Sequence, residues 1–218
     1  MKELFRTLVG SRLYGLHTED SDHDYRAVHM TPLGDVLLGT GGDKNTHTQD
    51  DEGNDVTSYE LRHFVKLVMG GNPTMMEMLF SLRLSGRHKL FSYFKPLLDE
   101  ENMNTSWRGY TKGALSAFRK EPYTQKSLKH LSGVLTYGFV NSSVLADSED
   151  FMRDGLPPTR ELAQRCREGD TMIVKEVLKR YENWPEGSLM PFKKKADMRY
   201  AQNLLLDLYT GLGALPES

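Results

Sequence analysis

Leu8 and Val9 run straight into Gly10-Ser11, and ten residues later the chain presents Asp22-His23-Asp24 at the head of a second extended run. This order demands a strand, a tight turn opening a short helical segment, and a second strand that begins on acids. Two acids at i and i+2 of a strand point to one face of the sheet. Two carboxylates on one face can hold a hard divalent cation such as Mg²⁺. A Gly-Ser turn that opens a helix offers backbone N–H groups to a phosphate. The combination reads as a site for a metal-bound nucleoside triphosphate.

Other phosphate and metal motifs do not fit the same residues. Gly10 and Gly15 have Walker A spacing, but Leu16-His17 stands where Lys-Ser/Thr is needed. Asp20, Asp22 and Asp24 imitate the start of an EF-hand loop, but Tyr25 replaces its turn glycine and Thr31 its bidentate glutamate. Cys166 is the single cysteine, which excludes an intramolecular disulfide and a multi-cysteine zinc site. No apolar run reaches the roughly 20 residues of a membrane helix. The N-terminal stretch lacks the layout of a signal peptide, so the cytoplasm is the expected compartment.

Charge is unevenly spread. Residues 1–60 carry 5 Lys and Arg against 12 Asp and Glu, whereas residues 61–218 carry 23 against 18. An acidic first part suits metal binding. The mildly basic remainder suits a polyanion only weakly, and a dedicated duplex-DNA binder is far more basic.

Glu3–Val9 reads as a strand, Arg12–Leu16 as a helical turn, Asp24–Met30 as a second strand stopped by Thr31-Pro32, and Asp55–Tyr59 as a third. Leu38–Asn54, rich in Gly, Asp, Asn and Thr, reads as an exposed loop. Leu61, Phe64, Val65, Leu67 and Val68 recur at helical spacing up to Gly70-Gly71-Asn72-Pro73. Met75–Leu82 fits strand or helix. Helices are expected at Thr111–Lys120, Lys126–Leu145, Thr159–Arg167, Thr171–Tyr181 and Ala196–Leu212, with a turn at Asp154–Pro158. Thr159 and Asp170 are candidate N-caps, and so is Ser11. The outline is α+β: a small mixed-sheet domain at 1–103 and an all-α domain at 104–218.

The string Val9-Gly10-Ser11, a ten-residue gap and Asp22-His23-Asp24 resembles the signature of polymerase-β-like nucleotidyltransferases. The chain departs from it at His23, where that signature has an apolar residue. Further likeness at GSRLYG, SDHDYR, YELRHFVKLVMGGNPTMMEMLF and the helix around Lys126–Leu135 points to the branch associated with RNA repair, whose members occur in bacteria and phages. The resemblance implies a third carboxylate on a neighbouring strand, for which Asp55 is chosen over Asp50, Asp51 and Glu60. It implies two Mg²⁺ ions, replaceable by Mn²⁺, held by Asp22, Asp24 and Asp55, and an NTP as substrate. Gly10, Ser11 and Arg12 would meet the triphosphate. Arg26, on the face of Asp22 and Asp24, is either their ion-pair partner or a nucleotide contact. In such enzymes a basic residue of the helical domain reaches the triphosphate, and Lys126 and Lys129 are the candidates here. The expected acceptor is an RNA 3′ end such as that of a tRNA, with a protein side chain and a small molecule as rivals. A non-catalytic nucleotide-binding module is the reading from outside the enzyme class.

Overall fold

The computed structural model describes residues 2–40, 45–145, 150–182, 195–211 and 213–216, with the side chains of 150–158 left aside. The chain divides into two units, Met1–Asp99 with Lys194–Ser218 and Glu100–Lys193. The C-terminal segment, expected in the helical domain, joins the first unit.

The first unit is built on a four-stranded mixed sheet of β1 (Lys2–Val9), β2 (Asp24–Met30), β3 (Asn45–Gln49) and β4 (Asp55–Glu60), in the order β1-β2-β4-β3. β2 and β4 run parallel at the centre, and β1 and β3 flank them antiparallel. Phe5, Thr7 and Val9 alternate into one face of β1, and all three are buried. The ring of Phe5 packs on Phe64 and Phe94, at 5.6 and 5.5 Å between centroids. These rings come from α3 (Leu61–Met69) and α5 (His88–Phe94). That face is therefore the one the helices cover.

Between α3 and α5 lies α4 (Pro73–Leu84), apolar on all sides and buried along most of its length. A helix without a polar face belongs inside a domain, which resolves the strand-or-helix ambiguity at Met75–Leu82. Asn72 caps it by accepting the Thr74 N–H at 3.0 Å, and Pro73 takes the first helical position, where no N–H is needed. The C-terminal helix α10 (Met198–Thr210) starts at a further cap, Asp197, which accepts the Tyr200 N–H.

Several elements depart from the sequence expectation. The opening helix α1 is Gly10–Leu13, so the helical turn begins on the glycine itself rather than at Arg12. Ser11 does not cap it: Val9 holds the N-cap position, without a side-chain hydrogen bond. The stretch read as a loop holds the edge strand β3, and a short helix α2 (Leu33–Leu38) ends on its first residue. β3 is polar and almost wholly exposed, so it carries none of the apolar alternation that reveals a half-buried strand.

The second unit contains α6 (Glu100–Lys120), α7 (Gln125–Leu145), α8 (Asp150–Arg167) and α9 (Thr171–Glu182). Trp107, Leu115, Phe118, Leu131, Val134, Ile173, Val174 and Tyr181 form its core, together with Cys166. Burial pushes the Cys166 thiol up to about 11, so it stays protonated and packs as a small apolar group. Tyr110 stacks on Tyr137 at 4.8 Å. Gly133 admits the Tyr110 hydroxyl into the space a Cβ would fill. The turn expected at Asp154–Pro158 lies inside α8, as does Thr159, although Pro157 and Pro158 withhold two N–H donors from its backbone. Asp170 does act as a cap, accepting the N–H groups of Met172 and Ile173 at 2.9 and 3.3 Å.

Candidate active site

Asp24 and Asp55 open β2 and β4, and the parallel register sets them directly opposite each other. Residues opposed in register share a face. The rung runs on to Gln49 of β3, whose amide donates to Asp55 Oδ1 at 3.3 Å. A second rung lies behind it. Arg26 donates to Thr57 Oγ1 at 3.0 Å, and the same hydroxyl lies 3.0 Å from His47 Nδ1.

β1 leaves the sheet beside the first rung, because Val9 pairs with Asp24 and Gly10 follows at once. Gly10 has φ +73°, a conformation that favours glycine. A Cβ on it would stand 2.7 Å from Asp24 Oδ2. The turn and the acid thus occupy one crowded corner, and only a residue without a side chain lets the backbone come so close.

Asp22 precedes the first residue of β2, so strand alternation does not govern it. It is exposed, and with Asp55 it lines a cavity of about 400 Å³ whose wall also includes Glu19, Asp20, Glu52 and His23. Arg12 holds this approach segment. Its Nε donates to the carbonyls of Ser21 and Asp22 at 3.0 and 3.2 Å. The guanidinium expected at the triphosphate is thus engaged in shaping the backbone that carries Asp22. Ser11 accepts the Leu16 N–H on its carbonyl and closes the same turn. Tyr14 stacks on Phe80, consistent with packing rather than base recognition.

The competing acids have other work. Asp50 accepts the N–H groups of Glu52 and Asn54 and the guanidinium of Arg6, which ties down the β3–β4 turn. Those backbone N–H groups hold its carboxyl below the usual range. Asp51 is exposed in the same turn. Glu60, 3% exposed, sits at the opposite end of β4 from Asp55. It caps α3 through the N–H groups of Arg62 and His63 and accepts the Tyr209 hydroxyl from α10. Tyr209→Phe should leave that buried carboxylate short of a donor and lower the stability of the first unit by about 1–3 kcal/mol, measured by denaturant unfolding.

Lys126 and Lys129 are both exposed on α7 of the second unit and are not part of the group the sheet assembles. Sequence reasoning missed Glu77. This residue of α4 accepts the Gly10 N–H on Oε1 at 3.0 Å. Burial pushes its carboxyl upward, with a smaller push from Asp24, against the Gly10 N–H, Tyr14 and Arg26. Its signal was available: it is the one charged residue between Pro73 and Leu82. An acid there, in an apolar helix, needs a buried partner.

The donor chemistry fits a hard cation. The carboxylates of Asp22 and Asp24 make no hydrogen bond or ion pair among the described residues, and that of Asp55 is held only by the Gln49 amide. Asp24 and Asp55 are opposed across the parallel pair, and a divalent cation would offset the like charge of two such carboxylates. Among the described residues no three Asp, Glu, His or Cys side chains close into a ready ligand cage. An open site suits Mg²⁺, which takes one or two carboxylates and completes its shell with water and substrate phosphate.

The model of the RNA repair pathway DNA polymerase beta family, RlaP, matches residues 1–131, which include the whole sheet, the Gly10 turn and all three aspartates. The chain belongs to this family. It is also similar to an uncharacterized 38.9 kDa protein of Enterobacteria phage T4, encoded in the nrdC-mobD intergenic region, with 33% identity over 86 residues. That match covers 36% of this chain and 26% of the phage protein's length. RlaP membership supports nucleotidyl transfer as the general activity. Among the described residues no helix is long and apolar enough to cross a membrane.

Proposed function

We propose that the protein is a Mg²⁺-dependent nucleotidyltransferase that moves NMP from an NTP to an acceptor hydroxyl, with an RNA 3′ end as the preferred acceptor. The observation that carries this reading is the in-register pair Asp24–Asp55 beside the Gly10 turn. The new bond joins the acceptor oxygen to the α-phosphorus, and the bond from that phosphorus to the pyrophosphate oxygen breaks. Asp22, Asp24 and Asp55 would hold the metal, which would neutralise charge on the triphosphate and lower the pKa of the attacking hydroxyl. Asp55 accepts the acceptor's proton. The Gly10–Ser11 turn would receive the phosphates through the Ser11 N–H and the close backbone approach at Gly10, whose own N–H is taken by Glu77, with Arg26 of the second rung as a positive charge fixed on the same strand face as Asp24. Arg12 acts here through Asp22, by holding its carbonyl. In-line displacement asks little more of a protein than such positioning and charge stabilisation.

The RNA preference rests on the family's description as an RNA repair pathway family. A second reading, transfer to a protein hydroxyl, is favoured by the cavity wall. Glu19, Asp20 and Glu52 repel a phosphate backbone and welcome a neutral or basic acceptor. The test is incubation with each α-labelled NTP, Mg²⁺ or Mn²⁺, and cellular RNA and protein. Label on RNA 3′ ends supports the first reading and label on protein the second. Nucleotide binding without transfer would mean a non-catalytic nucleotide-binding module.

A further inference from the structure

Glu77 lies on a helix with no place in the family's aspartate signature, yet its carboxylate reaches the corner where Gly10 and Asp24 meet. Three observations bear on it. Its Oε1 accepts the Gly10 N–H, so it fixes the one residue whose missing side chain makes room for Asp24. Arg26, two residues from Asp24 on the same strand face, lies within electrostatic reach of Glu77. The Arg26 Nε is buried without a hydrogen-bond partner among the described residues, so this cation is only partly satisfied by Thr57 and the Tyr25 carbonyl.

A guanidinium in that state draws the nearest carboxylate. Without a second anion that pull falls on Asp24, two residues away on the same strand face, and an Asp24 committed to Arg26 is a poorer ligand for a cation. Glu77 supplies the second anion from the helix side of the sheet. We propose that Glu77 is a positioning residue for this site: it clamps the Gly10 amide and offsets the Arg26 charge, which keeps the Asp24 carboxylate free for a divalent cation. This rests on the nucleotidyltransferase reading for its purpose, but not for its test.

Two variants separate the clamp from the charge. Glu77→Gln keeps an acceptor oxygen for Gly10 and loses the charge. Glu77→Asp keeps the charge and withdraws it from the Gly10 amide. Mn²⁺ binding to the full chain is followed by electron paramagnetic resonance, beside the Mg²⁺ dependence of pyrophosphate release and the melting temperature. Glu77→Gln should bind Mn²⁺ about tenfold more weakly, the scale of losing one charge several ångströms away, with turnover recovered at saturating Mg²⁺. Glu77→Asp should hold Mn²⁺ with near-native affinity and turn over more slowly at every Mg²⁺ concentration.

Native Mn²⁺ affinity in Glu77→Gln would overturn the proposal, as would variants that differ from native only in melting temperature. A native chain that binds no Mn²⁺ would overturn it too. A native chain whose Mn²⁺ binding weakens in Glu77→Gln, but which transfers no nucleotide, would remove the proposed activity and leave the role of Glu77 standing.

Discussion

Asp24→Asn should cut nucleotidyl transfer about 10³-fold while leaving the melting temperature close to native. The two halves of that expectation have separate grounds. The Asp24 carboxylate makes no hydrogen bond or ion pair among the described residues, so the amide breaks no native contact of that kind. The amide fills the same corner against Gly10. What it lacks is the charge that would hold the proposed metal, and a metal site supplies several kcal/mol of transition-state stabilisation. About 4 kcal/mol corresponds to roughly 10³ in rate. Asp55→Asn should behave the same way, since its rung partner Gln49 reaches an oxygen that the amide retains. Asp50→Asn should do the reverse. Its carboxylate closes the β3–β4 turn and binds Arg6, so that variant should lose stability and keep most of its turnover. Rates of pyrophosphate release and melting curves on the three variants make the comparison. Transfer that persists in Asp24→Asn would remove the metal site from this corner.

What the sequence showed of this site follows from how local the information was. Val9-Gly10-Ser11 and Asp22-His23-Asp24 are short strings, and a strand–turn–strand path is the simplest chain geometry that joins them. β1 alternates buried and half-buried residues, β2 stops at Thr31-Pro32 and β4 follows a stretch rich in Gly, Asp and Asn, so all three were legible to within a residue or two. Asp55 was chosen on the family resemblance, and its register with Asp24 is a long-range pairing that no local pattern encodes. β3 escaped because an exposed edge strand has no apolar face. The return of α10 to the first unit escaped because its links there, Tyr209 on Glu60 and Tyr200 on the Tyr93 carbonyl, join residues far apart in sequence and leave no local pattern. Glu77 escaped for another reason. Its run was judged by the methionines around it, and a single charge in an apolar stretch is easily passed over in a search for clustered acids.

Gly10→Ala should lower transfer about 10²-fold, and the reason is not backbone strain alone. A non-glycine residue at positive φ costs about 1–2 kcal/mol wherever it stands. The same strain would arise in Gly39→Ala, where φ is +70° and a Cβ would meet nothing within 4 Å. The two variants should therefore lose similar stability to backbone strain. They part at the active site. The new methyl at position 10 would sit 2.7 Å from Asp24 Oδ2, too close for both to stay. Either the carboxylate rotates off the Asp55 rung, or the turn shifts and the Gly10 N–H leaves Glu77. Each outcome displaces a group that the proposed in-line transfer would need placed to well within an ångström. Gly39→Ala should retain native turnover, so the difference in activity between the variants measures the contact itself. Equal activities after correction for the unfolded fraction would mean that the close approach of Gly10 to Asp24 has no part in the chemistry.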